Sequence, residues 1–196
     1  STFGTYYQVK FFELDKNNST IEKEIDSIFD RFNSSLSTYI SSSTISKVNR
    51  NEKVIVDDLF IDIFKKSKII YEKTNGYFDP SIGLLLDYAG FGPTKNQNIV
   101  SEDSLAIILK TVGFDKIDII GRQVRKLNNK SKLDFNAIAK GYAVDVISEF
   151  LNSKSIEDYM VDIGGEIRTS GKNHLRDMFW SIAIENPIPN KSDDKF

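Results

Sequence analysis

"LDFNAIAKGYAVD", Leu133 to Asp145, carries a strand-to-helix signal and two residues that the start of a helix would not choose. Ala139, Tyr142, Ala143, Val146, Ile147, Phe150 and Leu151 recur at helical spacing, which predicts a helix beginning near Asn136. Lys140 then lies near the positive end of the helix dipole, where a cation is disfavoured. Gly141 interrupts the pattern at a cost of about 1 kcal/mol relative to alanine. Two readings of the pair stand. In one, the free N–H groups of the terminus and the Lys140 charge attract an anion such as a phosphate, and Gly141 lets a ligand or another backbone come close. In the other, Lys140 reaches out to solvent and Gly141 serves helix–sheet packing. The spacing matches neither a P-loop nor a dinucleotide fingerprint.

Outward from this stretch, helices and strands alternate irregularly. Thr5, Tyr7, Val9 and Phe11 form a half-buried strand pattern, and "KNNS" turns the chain. Ile21, Ile25, Ile28, Phe29 and Phe32 follow at helical spacing, with Ser19 or Thr20 as the cap. "NSSLSTYISSSTISKVN", Asn33 to Asn49, reads as an ordered loop, because Leu36, Tyr39, Ile40 and Ile45 interleave its serines. A second helix runs from about Asp57 to Thr74 and stops at Asn75-Gly76. Ser101 caps a third, whose face is Leu105, Ile108, Leu109 and Val112. "KIDIIGRQVRKLN" reads as a hairpin turning near Gly121-Arg122. "YMVDIGGEIRTSG" is a strand, a Gly-Gly break and a second strand, and "FWSIAIENP" is another strand. No repeat and no linker divides the chain. The expected class is α+β, with a mixed, largely antiparallel sheet and packed helices.

The bulk numbers narrow the chemistry. A chain of 196 residues suffices for one good core. Its formal net charge of −2, with acids and bases interleaved, gives no basic face for nucleic acid. No run approaches the roughly 18 apolar residues that span a bilayer. The opening "STFGTYYQVKF" already reads as folded strand, so a signal or anchor segment is expected to have been removed or never to have existed. With no cysteine and a single histidine, His174, thiol nucleophiles, thiolate metal sites and His-based triads drop out. Carboxylates, hydroxyls, lysine or a bound cation are left to do any chemistry.

Three further stretches bear on a site. In "TNGYFDPSIG", Asp79 precedes Pro80 and is pushed away from helical geometry. Its carboxylate either accepts hydrogen bonds from a ligand edge, with Tyr77 and Phe78 as flat faces nearby, or simply caps a turn. "DIGGEIR" pairs glycines inside a strand pattern, which suggests a bulge or the close approach of something bulky. There Glu166 and Arg168 read equally well as one exposed ion pair. "LSTY" offers hydroxyls and the Tyr39 ring. "GFGPTK" misses a Walker A loop, and His174 sits in a polar turn at the surface.

Taken in this order, "FGTYYQVKF", "LSTYISSSTISKVN", "TNGYFDPSIGLLLDYAGFG", "TVGFDKI", "LDFNAIAKGYAVD", "MVDIGGEIRTSG" and "WSIAIENP" resemble the FAD:protein FMN transferase family, also called ApbE or thiamine-biosynthesis lipoproteins. The resemblance implies an enzyme that binds FAD and, with Mg²⁺, transfers the FMN half to a Ser or Thr hydroxyl of a target protein, releasing AMP. Such a target would be, for example, a subunit of a membrane redox complex. By position, Asp134 is similar to the family's flavin-contacting aspartate. Ala137 resembles a position that gives the metal an oxygen, here its backbone carbonyl, and Lys140 matches a residue beside FAD. Tyr77, Phe78 and Asp79 match an FAD-contacting triplet, and Tyr39 a further contact. Phe3 stands where the family commonly has Met before Gly-Thr, and by that position is a further flavin contact. The family also implies an exported lipoprotein on the outer face of the bacterial inner membrane, in the periplasm or cell envelope.

Departures qualify the match. Ser81 replaces the usual threonine after "DP", and the usual tryptophan before "GFG" is absent around Tyr88-Ala89. Residues 1–196 correspond to the N-terminal and central part of the family domain; the histidine-containing and aspartate-rich segments that would follow "IENP" and supply most magnesium ligands are absent, and Asp193 and Asp194 are poor substitutes. The expectation is a piece of a longer enzyme. The alternatives are a chain completed by a separate polypeptide, or a shortened relative that only binds flavin. Hydrolysis of FAD to FMN and AMP in the same site is the rival reaction.

Overall fold

The computed structural model describes residues 4–12, 18–93 and 102–184. Strand β1 (Tyr7–Phe11) leads into helix α1 (Asn18–Leu36), which buries Ile21, Ile25, Phe29 and Phe32 at the expected spacing. The helix starts earlier than its apolar face, so Ser19 and Thr20 lie within it rather than at its cap. It also ends later, taking in the first four residues of the serine-rich stretch. That stretch is therefore not a loop throughout: it continues into a short helix, α2 (Thr44–Asn49), capped by Ser43 Oγ, which accepts from the Ser46 N–H at 3.2 Å. Serines that resemble loop composition in sequence are here capping groups and turn donors.

Helix α3 (Asp58–Lys73) begins where Asp57 accepts from the Phe60 N–H at 2.8 Å and ends at Thr74. A short α4 (Gly83–Tyr88) lies inside the Gly76–Pro93 stretch. Helix α5 (Glu102–Leu109) buries Ile108, but Leu105 and Leu109 are exposed, so the predicted apolar face is only partly used. Its expected cap, Ser101, lies outside the described residues. A 3-10 turn at Phe114–Lys116 precedes the hairpin β2 (Ile117–Ile120) and β3 (Gln123–Lys126), which turns through Gly121 at φ +63.

Helix α6 (Asn136–Ser153) follows, with Ala139, Ala143, Ile147 and Leu151 buried. Strands β4 (Tyr159–Ile163) and β5 (Glu166–Ser170) are joined by Gly164 and Gly165, both at positive φ, as the paired glycines suggest. A second small hairpin, β6 (Lys172–Asn173) and β7 (Met178–Phe179), supplies the last of the described strands. The longer strand expected at "FWSIAIENP" is cut short. Only its first residue belongs to β7, and Trp180 to Ile184 pair with no described strand.

The main sheet has the order β1–β4–β5 and is antiparallel throughout, with Tyr7 opposite Ile163 and Tyr159 opposite Ser170. Helix α6 packs against β4 and β5 and also against α1 and α3. Phe32, Phe60, Phe114, Phe135 and Tyr159 fill the single core. The fold is α+β, as the irregular alternation predicts. A lone parallel bridge, Ile82 to Lys132, draws the "DPSIG" segment alongside the entry to α6.

Candidate functional site

The mouth of α6 is assembled from three distant segments. Asn49, the last residue of α2, uses its side-chain amide like a strand edge. Its Oδ1 accepts from the Leu133 N–H at 2.7 Å, and its Nδ2 donates to the Leu133 carbonyl at 2.8 Å. On the other side, the Asp134 N–H donates to the Pro80 carbonyl at 2.8 Å and the Gly83 N–H to the Lys132 carbonyl at 3.0 Å. A Cβ at Gly83 would stand 2.8 Å from that carbonyl oxygen, so the approach requires glycine. "SKVN", "DPSIG" and "LDFN" are thus bound into one rim.

The helix terminus is less bare than its position suggests. Asp134, 8% exposed, accepts from the Asn136 N–H at 2.7 Å and from Asn136 Nδ2 at 3.0 Å. The Ile138 and Ala139 N–H groups donate to the Phe135 carbonyl at 3.0 and 2.8 Å. The Ala137 N–H is the one amide of this turn without a partner among the described residues. Burial pushes the Asp134 carboxyl above the ordinary carboxylate range, and the Asp87 charge adds to this against the Asn136 hydrogen bond. A buried carboxylate at this point discourages a free anion from entering the terminus directly.

Lys140 does not reach into bulk water. Its amine pairs with Glu166 Oε1 at 3.2 Å and donates to the Gly164 carbonyl at 3.4 Å, so it lies against the Gly-Gly turn. The Glu166–Arg168 pair that the sequence allows is not formed. Residues two apart share a strand face, and both turn to α6, where Arg168 meets Asp145 at 2.8 Å. Gly141 has no heavy atom within 4 Å of where its Cβ would be, which rules out the packing explanation for it. It borders a cleft of about 400 Å³ between α3 and α6, shared with Lys66, Ile69, Ile70, Ala137 and Glu166. Tyr142 forms one wall, its hydroxyl donating to Asp62; burial first, and then Asp62, raise that phenol well above its usual range.

In "GYFDPS", Asp79 makes the local turn: its Oδ1 accepts from the Ser81 N–H at 2.7 Å and from Ser81 Oγ at 2.6 Å. The fully buried Ser81 hydroxyl also accepts from the Gly113 N–H at 2.7 Å, so serine supplies the hydroxyl that this position needs. Tyr77 is 95% exposed and Phe78 half-buried, leaving an aromatic face open beside the turn. Tyr39, also exposed, donates to the Phe91 carbonyl at 3.3 Å and does not line the α3–α6 cleft. Phe3 lies outside the described residues.

Asp134, just before α6, and Ala137 and Lys140, on its first turns, are therefore gathered together, with Asp79 tied in through Pro80. Asn49, Ser81 and Glu166 are equally part of the arrangement. Asn49 and Ser81 carry no spacing signal, since each acts on a segment at least 30 positions away. No group of three or more His, Cys, Asp or Glu side chains among the described residues is placed to hold a metal. One Ala137 carbonyl falls far short of the roughly six oxygens that Mg²⁺ prefers. These residues do not fit a magnesium site by themselves.

Residues 3–195 match the model of the ApbE family. The chain is 34% identical over 193 residues to the FAD:protein FMN transferase of Vibrio cholerae, covering 95% of this chain and 57% of that protein. It is 33% identical over 198 residues to the protein of the same name from Haemophilus influenzae, again at 95% and 57% coverage. A solved flavin transferase ApbE from Vibrio cholerae superposes with a TM-score of 0.88 at 32% identity, covering 95% of this chain and 62% of that one. The apo flavinyl transferase ApbE of Pseudomonas stutzeri gives 0.86 at 27% identity, covering 94% and 63%. The chain thus spans a little over half the length of the relatives it matches.

Proposed function

Because the chain belongs to the ApbE family, we propose that it supplies the flavin-contacting face of an FAD:protein FMN transferase. The reaction transfers FMN from FAD to a Ser or Thr hydroxyl of a target protein. The hydroxyl oxygen attacks the FMN phosphorus, the bond from that phosphorus to the bridging oxygen breaks, AMP leaves with that oxygen, and the hydroxyl proton passes to solvent. Such a transfer depends on charge neutralisation and alignment more than on a covalent protein intermediate. The convergence of three matching segments on the mouth of α6, with the Lys140 amine held 3.2 Å from Glu166, is the observation that carries this reading.

Lys140 is available to the diphosphate by partner exchange, giving up Glu166 for a phosphate oxygen. Tyr77 and Phe78 offer faces to a flat ring, and Gly141 leaves the α6 backbone open to contact. The reading brings magnesium dependence with it, but the ion takes no step assigned to these residues. It also brings a cell-envelope location, which fractionation of the source cells would check. Among the described residues no helix is long and apolar enough to cross a membrane.

The test is an FAD titration followed by flavin fluorescence, with Lys140→Gln and Glu166→Gln in parallel. Losing the cation weakens binding about tenfold or more. Losing the competing carboxylate strengthens it by up to about fivefold, the worth of an exposed ion pair. If both variants bind FAD like wild type, the reading fails. Incubation of the chain with FAD, Mg²⁺ and a Ser/Thr peptide, read as an added FMN mass, separates transfer from FAD hydrolysis, which releases AMP without acceptor.

A further inference from the structure

The segment between α2 and α3 runs beside strand β3 and the turn that follows it, and is tied to them at both ends. At one end the Val56 N–H donates to the Arg122 carbonyl at 2.9 Å, and Arg122 Nε donates to the Val56 carbonyl at 3.0 Å. At the other, Asn51 Nδ2 donates to the Asn129 carbonyl at 3.0 Å. Between these ties no backbone hydrogen bond joins the two among the described residues, and a pocket of about 180 Å³ opens there. It shares no residue with the α3–α6 cleft or with the positions that match flavin contacts.

Its charge is one-sided. Lys53, Arg125 and Lys126 line it against one carboxylate, Glu52, which Arg50 Nε already holds at 2.7 Å. Asp118 stands opposite Arg125 in the hairpin, but it accepts from the Ile119 N–H at 2.8 Å and pairs with no cation among the described residues. Lys53 is exposed and has no hydrogen-bond or ionic partner among them either. Lys126 is half-buried, and its amine donates only to two neutral carbonyls, those of Val48 at 3.1 Å and Ser131 at 3.0 Å. Burial, and then the Lys132 charge, work against its protonated form, while Lys132 itself is held by Asp87 at 2.6 Å. An ammonium with a third N–H to give and no counter-ion is a group that an anion stabilises.

We propose that this pocket binds a small doubly charged oxyanion, free phosphate or the phosphoryl group of a small ester, gripped by Lys53, Arg125 and Lys126. Size agrees: the volume equals that of about six waters, which admits a phosphoryl group. It falls below the roughly 300 Å³ at which pockets begin to enclose larger ligands. Chemistry agrees as well, since the planar fork of an arginine takes two oxygens of such an anion and the lysines add point charges. Occupation would reach further into the fold. The Val48 and Ser131 carbonyls held by Lys126 flank the clamp between Asn49 and Leu133, so an anion here fixes the amine that ties α2 to the entry of α6.

The test uses no flavin, so it stands whatever becomes of the transferase reading. Backbone amide NMR of the isotope-labelled chain is followed through titrations with sodium phosphate, with glycerol phosphate, and with sodium chloride at matched ionic strength. Phosphate is expected to shift amides within 51–54 and 123–129 to saturation, and chloride is not. Glycerol phosphate binding as tightly as phosphate shows that the phosphoryl group alone is read; tighter binding assigns the site to an ester. Lys53→Gln and Arg125→Gln, both at exposed positions, each weaken phosphate binding about tenfold or more, the worth of one charge-assisted hydrogen bond. Circular dichroism of the two variants stays unchanged, and Lys140→Gln leaves this binding as it was. Phosphate also raises the melting temperature of the wild type, and raises it less in the two pocket variants. Shifts that chloride reproduces, shifts confined to residues 134–141 around Lys140, or pocket variants that bind phosphate like the wild type would overturn the proposal.

Discussion

A glycine within a helix costs about 1 kcal/mol against alanine, and at residue 141 no neighbouring atom offsets that cost. A methyl group there would project into the α3–α6 cleft. Gly141→Ala is therefore expected to raise stability by about 1 kcal/mol in urea denaturation while weakening FAD binding. A variant that is more stable and binds FAD normally would remove Gly141 from the site. Asp134 carries a different signature. Burial raises its folded-state pKa, so above the ordinary carboxylate range the folded protein binds more protons than the unfolded chain. Stability contributed by this group is then fully present below the unfolded value and is lost as pH rises through the folded one. Asp134→Asn keeps an acceptor for the Asn136 N–H and should flatten that fall, gaining on wild type from mildly acidic pH upward. A thermal-melting series across pH 3 to 7 checks it, and parallel profiles would refute it. The sequence left Lys140 and Gly141 open between an anion site and solvent exposure with helix–sheet packing, and the ion pair with Glu166 was not legible, because it joins positions 26 residues apart on a helix and a strand.

At the level of elements, helices α1, α3 and α6 follow from apolar spacing, and the β2–β3 and β4–β5 hairpins from their glycines. What local pattern missed is how elements are fastened to each other. The serine-rich stretch is a helix end and a short helix, because Ser43 caps α2 and reaches the Ser37 carbonyl at 2.6 Å. The β2–β3 hairpin is pinned by Lys126, whose amine donates to the Val48 and Ser131 carbonyls at 3.1 and 3.0 Å. Desolvation first, and then the Lys132 charge, depress this amine to about 8. Between that value and the unfolded one near 10.5, the unfolded chain holds more protons, so this group's contribution to stability grows with pH and is lost as pH falls through about 8. Lys126→Met leaves two carbonyls without their donor and should be less stable at every pH. Its deficit against wild type is expected to widen from pH 8 upward. A constant deficit across that window in urea unfolding would show that the amine is not depressed.

Across the whole molecule, the α+β class was readable from irregular alternation, whereas the sheet order was not. β1 pairs with β4 across some 150 residues, and nothing in the local pattern of either strand names the other. The same distance effect governs the site. Its parts lie on α2, the Asp79 turn, the entry to α6 and the Gly-Gly turn, and only their order along the chain, compared with a family, brought them together before the fold did. Metal and flavin should act differently on such a molecule. A ligand that binds only the folded state stabilises it by RT ln(1 + [L]/Kd), about 1.4 kcal/mol at roughly ten times Kd. The described residues present a lysine, open aromatic faces and an accessible helix backbone, but no cluster of acidic or histidine ligands. FAD in excess is therefore expected to raise the melting temperature in proportion to the logarithm of its concentration. Mg²⁺ alone should leave the melt where it was, and EDTA should change nothing. A drop in melting temperature on chelation would mean that the chain holds a resident cation, and the assignment of its carboxylates to turns, caps and ion pairs would have to be redrawn.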